Sequence, residues 1–216
     1  MPCLLAATAC FVPYLVPFSR VKTHVAPHLV RIGEDGGRAA LLVDGVVQSI
    51  SPEDGLVEGG YWAAMLPDER PRFALILGLG GGTLARLLQV RWGVVRILGV
   101  DDDPTILATA NAVGWLPLGG VEVLLTDAFT YVATCHERFD YIAVDLFRGD
   151  RLAGRAFGKP FLRRLRSLLE PHGRVAINMF RDFRAPERRQ RIARFFDIRD
   201  ERIVGGNVII HARCRG

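Results

Sequence analysis

The chain has 216 residues, half of them hydrophobic and 24% charged, which fits a soluble globular protein with one main domain and room for a small appendage. The net charge of +5 comes almost wholly from arginine, Lys22 and Lys159 being the only lysines; such modest basicity permits an acidic partner without requiring one. Four cysteines (Cys3, Cys10, Cys135, Cys214) show neither close metal-ligand spacing nor a disulfide framework, so no metal is expected and a reduced, cytoplasmic setting is the default.

In chain order, Met1 to Phe18 is apolar, uncharged and broken by Pro2, Pro13 and Pro17. It lacks the basic leader of a signal peptide and falls short of the ~20 residues a spanning helix needs. It is expected to pack on the domain or on another subunit, which leaves a homodimer open; no membrane association is expected. Residues 29–50 read as a small antiparallel sheet: a strand over 29–32, a turn over 34–37, a strand over 39–43, the two-residue turn Asp44-Gly45, and a return strand over 46–48. A loop follows to Gly60, then a short helical piece from Tyr61 to Met65 stopped by Pro67.

From Phe73 the pattern is βαβ. Strands are expected at 73–77, 96–100, 121–125, 140–144 and 173–178, with helices near 82–91, 104–113, 128–135 and 158–169. Continuous apolar strands such as Tyr141-Ile-Ala-Val144 imply burial on both faces and so a parallel sheet covered by helices. A basic helix (186–196) and two strands (198–204 and 207–212) joined at Gly205-Gly206 end the chain. The expected fold is therefore α/β: a Rossmann-like, methyltransferase-type parallel sheet with a C-terminal antiparallel hairpin, over 67–216, preceded by the apolar arm and small β-hairpin region of 1–66.

The stretch Ala74-Leu-Ile-Leu-Gly-Leu-Gly-Gly-Gly-Thr-Leu84 is the centre of this pattern: strand, glycine loop, helix start. A dinucleotide fingerprint wants glycine at the first, third and sixth positions; here Gly78 and Gly80 match and Thr83 does not. The loop, with Gly81 and Gly82, suits an adenosine ligand without a pyrophosphate, such as S-adenosylmethionine. Asp101, 23 positions after Gly78 and followed by Asp102 and Asp103, is placed to accept both ribose hydroxyls at the end of the second strand. Asp127 and Asp145 end the third and fourth strands. Helix or turn capping is the plain alternative for each; a row of acids around one cleft suits a ligand. Asp145 could hold a substrate amine or take its proton.

These residues resemble the spermidine synthase superfamily over nearly the whole chain. The matching pieces are Leu42-Val-Asp-Gly-Val-Val-Gln48, Gly60-Tyr61-Trp62, the glycine loop, Val100-Asp-Asp-Asp103, Thr126-Asp-Ala128, Val144-Asp145, and Phe157 to Phe161 ahead of Leu169-Glu-Pro-His-Gly173. Ile76 stands where ordinary methyltransferases carry an acid. The resemblance implies that Gln48 and Tyr61 face the cofactor, Asp101 the ribose and Asp127, beside Ala128, the adenine, with Asp145 as the catalytic-site acid. Two departures stand out. Aminopropyltransferases of this family carry an aspartate at the position of Gly81 and another at that of Arg148, where a cation here would meet a polycation. Asp150 has the wrong spacing for a simple swap.

The loop form and Ile177-Asn-Met-Phe-Arg-Asp182 are similar to spermidine-synthase-like methyltransferases. The expectation is methyl transfer from S-adenosyl-L-methionine to a nitrogen or oxygen nucleophile on a small-molecule or protein acceptor. Loop N–H groups would hold the methionine carboxylate, Asp145 and Asn178 would orient the nucleophile, and Tyr61 would help close the site. The alternative is a polyamine aminopropyltransferase using decarboxylated S-adenosylmethionine; a third reading is a cofactor-binding member without catalysis. The six arginines from Arg181 to Arg194 read more simply as a solvated helix face, so nucleic acid is not an expected partner.

Overall fold

The computed structural model describes residues 29–51 and 60–214. The apolar arm, with Cys3 and Cys10, and most of the loop before Gly60 lie outside the described residues. The first unit is a three-stranded antiparallel sheet of β1 (Val30–Asp35), β2 (Arg38–Val43) and β3 (Val46–Ile50). Asp44 and Gly45 turn at φ 50° and 84°, the left-handed pair whose twist matches a hairpin. The preceding turn is tighter than its sequence suggests: β1 runs on to Asp35 and only Gly36-Gly37 turn, both at positive φ.

The chain then forms α1 (Tyr61–Ala64), β4 (Phe73–Leu77), α2 (Thr83–Trp92), β5 (Arg96–Asp101), α3 (Pro104–Ala112), β6 (Val121–Leu125), α4 (Ala128–Thr134) and β7 (Phe139–Val144). A small hairpin of β8 (Phe147–Arg148) and β9 (Arg151–Leu152) follows, then a 3-10 turn (Gly154–Phe157), α5 (Lys159–Ser167), β10 (Leu169–Phe180), α6 (Ala185–Ala193), β11 (Phe196–Val204) and β12 (Asn207–Cys214). The main sheet has seven strands in the order β11-β12-β10-β7-β4-β5-β6. Strands β6, β5, β4, β7 and β10 are parallel, and β12 and β11 join antiparallel.

The boundaries that differ most from the sequence reading lie in the C-terminal third. The helix expected to 169 stops at Ser167, because Leu169 already pairs with Phe139 as strand. Pro171-His172-Gly173 is therefore a bulge within β10, where the register shifts and His172 takes φ 64°. Helix α6 ends at Ala193, three residues before the fully buried Phe196 opens β11 opposite Cys214. The arginines of α6 are largely paired: Arg188 with Asp182, Arg189 with Glu201 and Arg191 with Glu187.

Alternation along each strand divides the core. Ala74, Ile76, Tyr141, Ala143 and Ala176 face one side, packed against β2, α1 and α2. Leu75, Leu77, Ile142, Val144 and Ile177 face the other, packed against α4, α5 and the 3-10 turn. Each such aliphatic side chain contributes roughly 1.5–3 kcal/mol by leaving water. The described part of the expected 1–66 region thus shares one apolar core with the main sheet. Among the described residues no helix is long and apolar enough to cross a membrane.

Candidate active site

The parallel order reverses at β4, whose neighbours β5 and β7 are reached in opposite directions. Loops leaving the carboxyl ends of such strands diverge and leave a crevice. The glycine loop leaves β4 here. Gly78 sits at φ 87°, and a Cβ on it would lie 2.1 Å from the carbonyl oxygen of Asp145. Only glycine lets the β4 loop and the end of β7 approach this closely.

The crevice is lined by Gln48, Tyr61, Gly78, Gly80, Asp101, Asp102 and Asp145 among the expected site residues. Asp101 ends β5; it accepts the Gly80 N–H at 2.7 Å and the Asp103 N–H at 3.0 Å. Asp145 follows β7. The Tyr61 hydroxyl donates to its Oδ2 at 3.1 Å and the Asn178 amide to its Oδ1 at 2.8 Å. Asn178 is buried at the end of β10, and its own Oδ1 is buried with no partner among the described residues.

Desolvation dominates the electrostatics. It pushes the Asp145 carboxyl up to about 6, against the pull of the Asn178 and Tyr61 hydrogen bonds, and the Asp101 charge adds to the rise. It pushes Asp101 up to about 6 as well, against the Gly80 and Asp103 N–H groups and with the help of the Asp102 and Asp103 charges. Burial, with the neighbouring Asp145 charge, holds the Tyr61 hydroxyl protonated far above its usual range. Two desolvated carboxylates in one crevice favour a cationic ligand, and the glycine loop admits it without a Cβ in the way. The residues therefore fit an adenosyl sulfonium compound.

Other expected residues lie outside the crevice lining. Asp127 caps α4, accepting the Thr130 N–H at 2.8 Å and its hydroxyl at 2.9 Å, and Ala128 is buried in the second core. Asp103 does line the crevice, and it also caps α3 through the N–H groups of Thr105 and Ile106. Gly81 and Gly82 face protein: a Cβ on Gly81 would meet Ser49 at 2.9 Å and the Trp115 ring at 3.0 Å, and one on Gly82 would meet Leu116 at 3.0 Å. The sequence reading missed Ser49, which accepts the Gly81 N–H at 2.6 Å. On the β8 side of the crevice, where Phe147, Arg148 and Gly149 line it, it had named Arg148 but missed Phe147 and Gly149. Arg148 is paired with Asp102 at 2.6 Å, and the Gln48 amide donates to the Gly149 carbonyl at 3.2 Å. The tetrapeptide spacing Asp145 to Arg148 was the available signal; the partner was not.

No protein-family model matches the chain. It is 30% identical over 137 residues to a Bifidobacterium longum protein named "Probable polyamine aminopropyl transferase", covering 62% of this chain and 30% of that one. It is 28% identical over 173 residues to polyamine aminopropyltransferase 2 of Hyperthermus butylicus, covering 75% of this chain and 54% of that one. The chain thus spans between about a third and a half of these relatives' length. Among solved structures, spermidine synthase from Thermotoga maritima superposes with a TM-score of 0.66 at 16% identity, over 88% of this chain and 70% of that one. Human methyltransferase-like protein 13 in complex with SAH superposes with a TM-score of 0.60 at 24% identity, over 67% of this chain and 72% of that one.

The curated relatives overturn the expectation of methyl transfer, and the structure accounts otherwise for the loop features behind it. The loop was expected to offer N–H groups to a methionine carboxylate. Gly78 and Leu79 instead donate to the Val100 carbonyl, Gly80 to Asp101, Gly81 to Ser49 and Gly82 to the Leu79 carbonyl. The missing side chain at Gly81 is explained by packing against Ser49 and Trp115, so it says nothing of the cofactor tail. Arg148 is not an unpaired cation. The named relatives bear out the resemblance to the spermidine synthase superfamily that the hairpin, the glycine loop and the strand-end acids carry, and the sheet order is that of a spermidine synthase fold.

Proposed function

We propose that this chain transfers an aminopropyl group from decarboxylated S-adenosylmethionine to an amine. The observation that carries the reading is a desolvated carboxylate, Asp145, held by Tyr61 and Asn178 at the sheet's switch point and sharing a crevice with Asp101. The names of the curated relatives support it.

When bound, the donor supplies a methylene carbon activated by sulfonium: the amine lone pair forms the C–N bond, the C–S bond breaks, and its electron pair stays on sulfur in methylthioadenosine. The protein's part is to hold and deprotonate the acceptor. An amine arrives as an ammonium ion and needs a free lone pair to attack. Asp145 accepts that proton, and its raised affinity for it suits the task. Tyr61 and Asn178 fix the carboxylate, so little reorganisation accompanies the transfer. Asp101 keeps a second lone pair on each oxygen, beyond its bonds to Gly80 and Asp103, with which to accept the ribose hydroxyls. Gln48 and Tyr61 wall the donor side.

Calorimetry with the decarboxylated and the carboxylated compound, paired with methylthioadenosine release over a panel of primary amines, tests the proposal. Preferential binding of the decarboxylated compound and its consumption in the presence of an amine are expected. Binding without consumption by any amine would sink it.

A further inference from the structure

We infer that the acceptor is a primary amine whose far end carries no positive charge, and that Arg148, held by Asp102, selects it. The inference rests on the aminopropyl-transfer reading and names the acceptor class of the same crevice.

Four acids line the crevice: Asp101, Asp102, Asp103 and Asp145. Three are committed. Asp101 binds the glycine loop, Asp103 caps α3, and Asp102 is paired with Arg148. Among the described residues, only Asp145 is left to meet an ammonium group, and it serves the reacting nitrogen. A diamine would bring its second ammonium to the rim where Arg148 already holds the Asp102 carboxylate. The two cations would compete for that one counter-ion and repel each other, and an ammonium desolvated without a counter-ion is disfavoured.

The position of Arg148 is built, not incidental. It is the last residue of β8 before the Gly149-Asp150 turn. The turn is tied to β3 by the Gln48 amide on the Gly149 carbonyl. The neighbouring Phe147 ring packs edge-on against Phe180 at 4.9 Å between centroids. The guanidinium thus stands at the rim, half-exposed, with Asp102 as its counter-ion. An uncharged far end leaves that pair intact; a carboxylate at the far end can share the guanidinium.

Butylamine, 4-aminobutyrate and 1,4-diaminobutane separate the possibilities. Two quantities are measured: kcat/KM for each at saturating decarboxylated donor, and calorimetric Kd for each on protein saturated with methylthioadenosine. The wild type should bind butylamine or 4-aminobutyrate at least about fivefold more tightly than the diamine, the size expected of one partly exposed charge contact. Either preferred amine supports the inference, 4-aminobutyrate indicating direct contact with Arg148. Arg148→Ala frees the Asp102 carboxylate and should move the ratio toward the diamine by about fivefold; Asp102→Asn should move it the other way. Equal or tighter diamine binding by the wild type, an unmoved ratio in Arg148→Ala, or binding of none of the three overturns the inference. Binding in the expected order without methylthioadenosine release upholds selection by Arg148 and instead defeats aminopropyl transfer.

Discussion

Asp145 is asked to do two opposed things: to stay ionised near neutrality so that it can take a proton, and to sit where water is scarce. Replacing it with asparagine keeps the volume and the Tyr61 bond while removing the base. Asp145→Asn is expected to lower transfer by about 10²–10⁴-fold and to leave donor affinity within a few fold, read by steady-state kinetics and calorimetry. The same carboxyl sets a pH signature. In the folded protein it titrates near 6, against an ordinary value of 3.8. Activity should therefore fall as pH drops below about 6, when the base is protonated. Stability runs the other way. Between the two values the folded state binds more protons than the unfolded chain, so this group's contribution to stability falls as pH rises through that window. Denaturant unfolding of the wild type and Asp145→Asn should show the variant's advantage growing from pH 4.5 to 7.5; a constant difference would contradict the assignment.

At the scale of elements, the glycine loop and β3 act as one piece. Ser49 accepts the Gly81 N–H, and the Thr83 hydroxyl both accepts the Ile50 N–H at 3.0 Å and donates to the Ile50 carbonyl at 3.1 Å. Thr83→Val keeps the shape and strands a buried N–H, so denaturant midpoints should report a loss of about 1–3 kcal/mol. Gly81→Asp, which would restore the acid of the family pattern, should also destabilise, because its Cβ meets Ser49 and Trp115. A second change, Ser49→Gly, should recover part of the melting temperature. These contacts explain what the sequence could reveal. The strands, the glycine loop and the acids at strand ends were legible, since each leaves a periodic or punctuating mark on neighbouring residues. Gly81 was misread as a statement about the ligand because its real partners, Ser49 and Trp115, are distant in sequence. Arg148 was read only as a cation meeting a polycation because its partner Asp102 lies 46 residues away, and the hairpin that carries Arg148 has two-residue strands, too short for any period.

In the whole molecule, the crevice draws on segments far apart in the chain. The Gln48–Gly149 bond alone spans 101 residues, and Tyr61 and Asp145 meet across 84. The small sheet is buried against the first face of the main sheet through Leu41 and Leu42, so Gln48 and Tyr61 are delivered to the site by a unit that precedes the glycine loop. A ligand held between the two should protect both against local opening. At a hundred times its Kd, a ligand stabilises the bound state by about 2.7 kcal/mol, which slows exchange by about a hundredfold wherever opening releases the ligand. Hydrogen exchange with methylthioadenosine should therefore show this slowing together in residues 46–50, 61–65, 78–84, 99–103 and 144–149. Residues 159–167 and 185–193, on the far face, should change far less. If slowing is confined to residues 78–103, the donor is held by the glycine loop and β5 alone. Gln48 and Tyr61 would then have no part in binding it, and the crevice would be a property of two strands instead of the joined sheets.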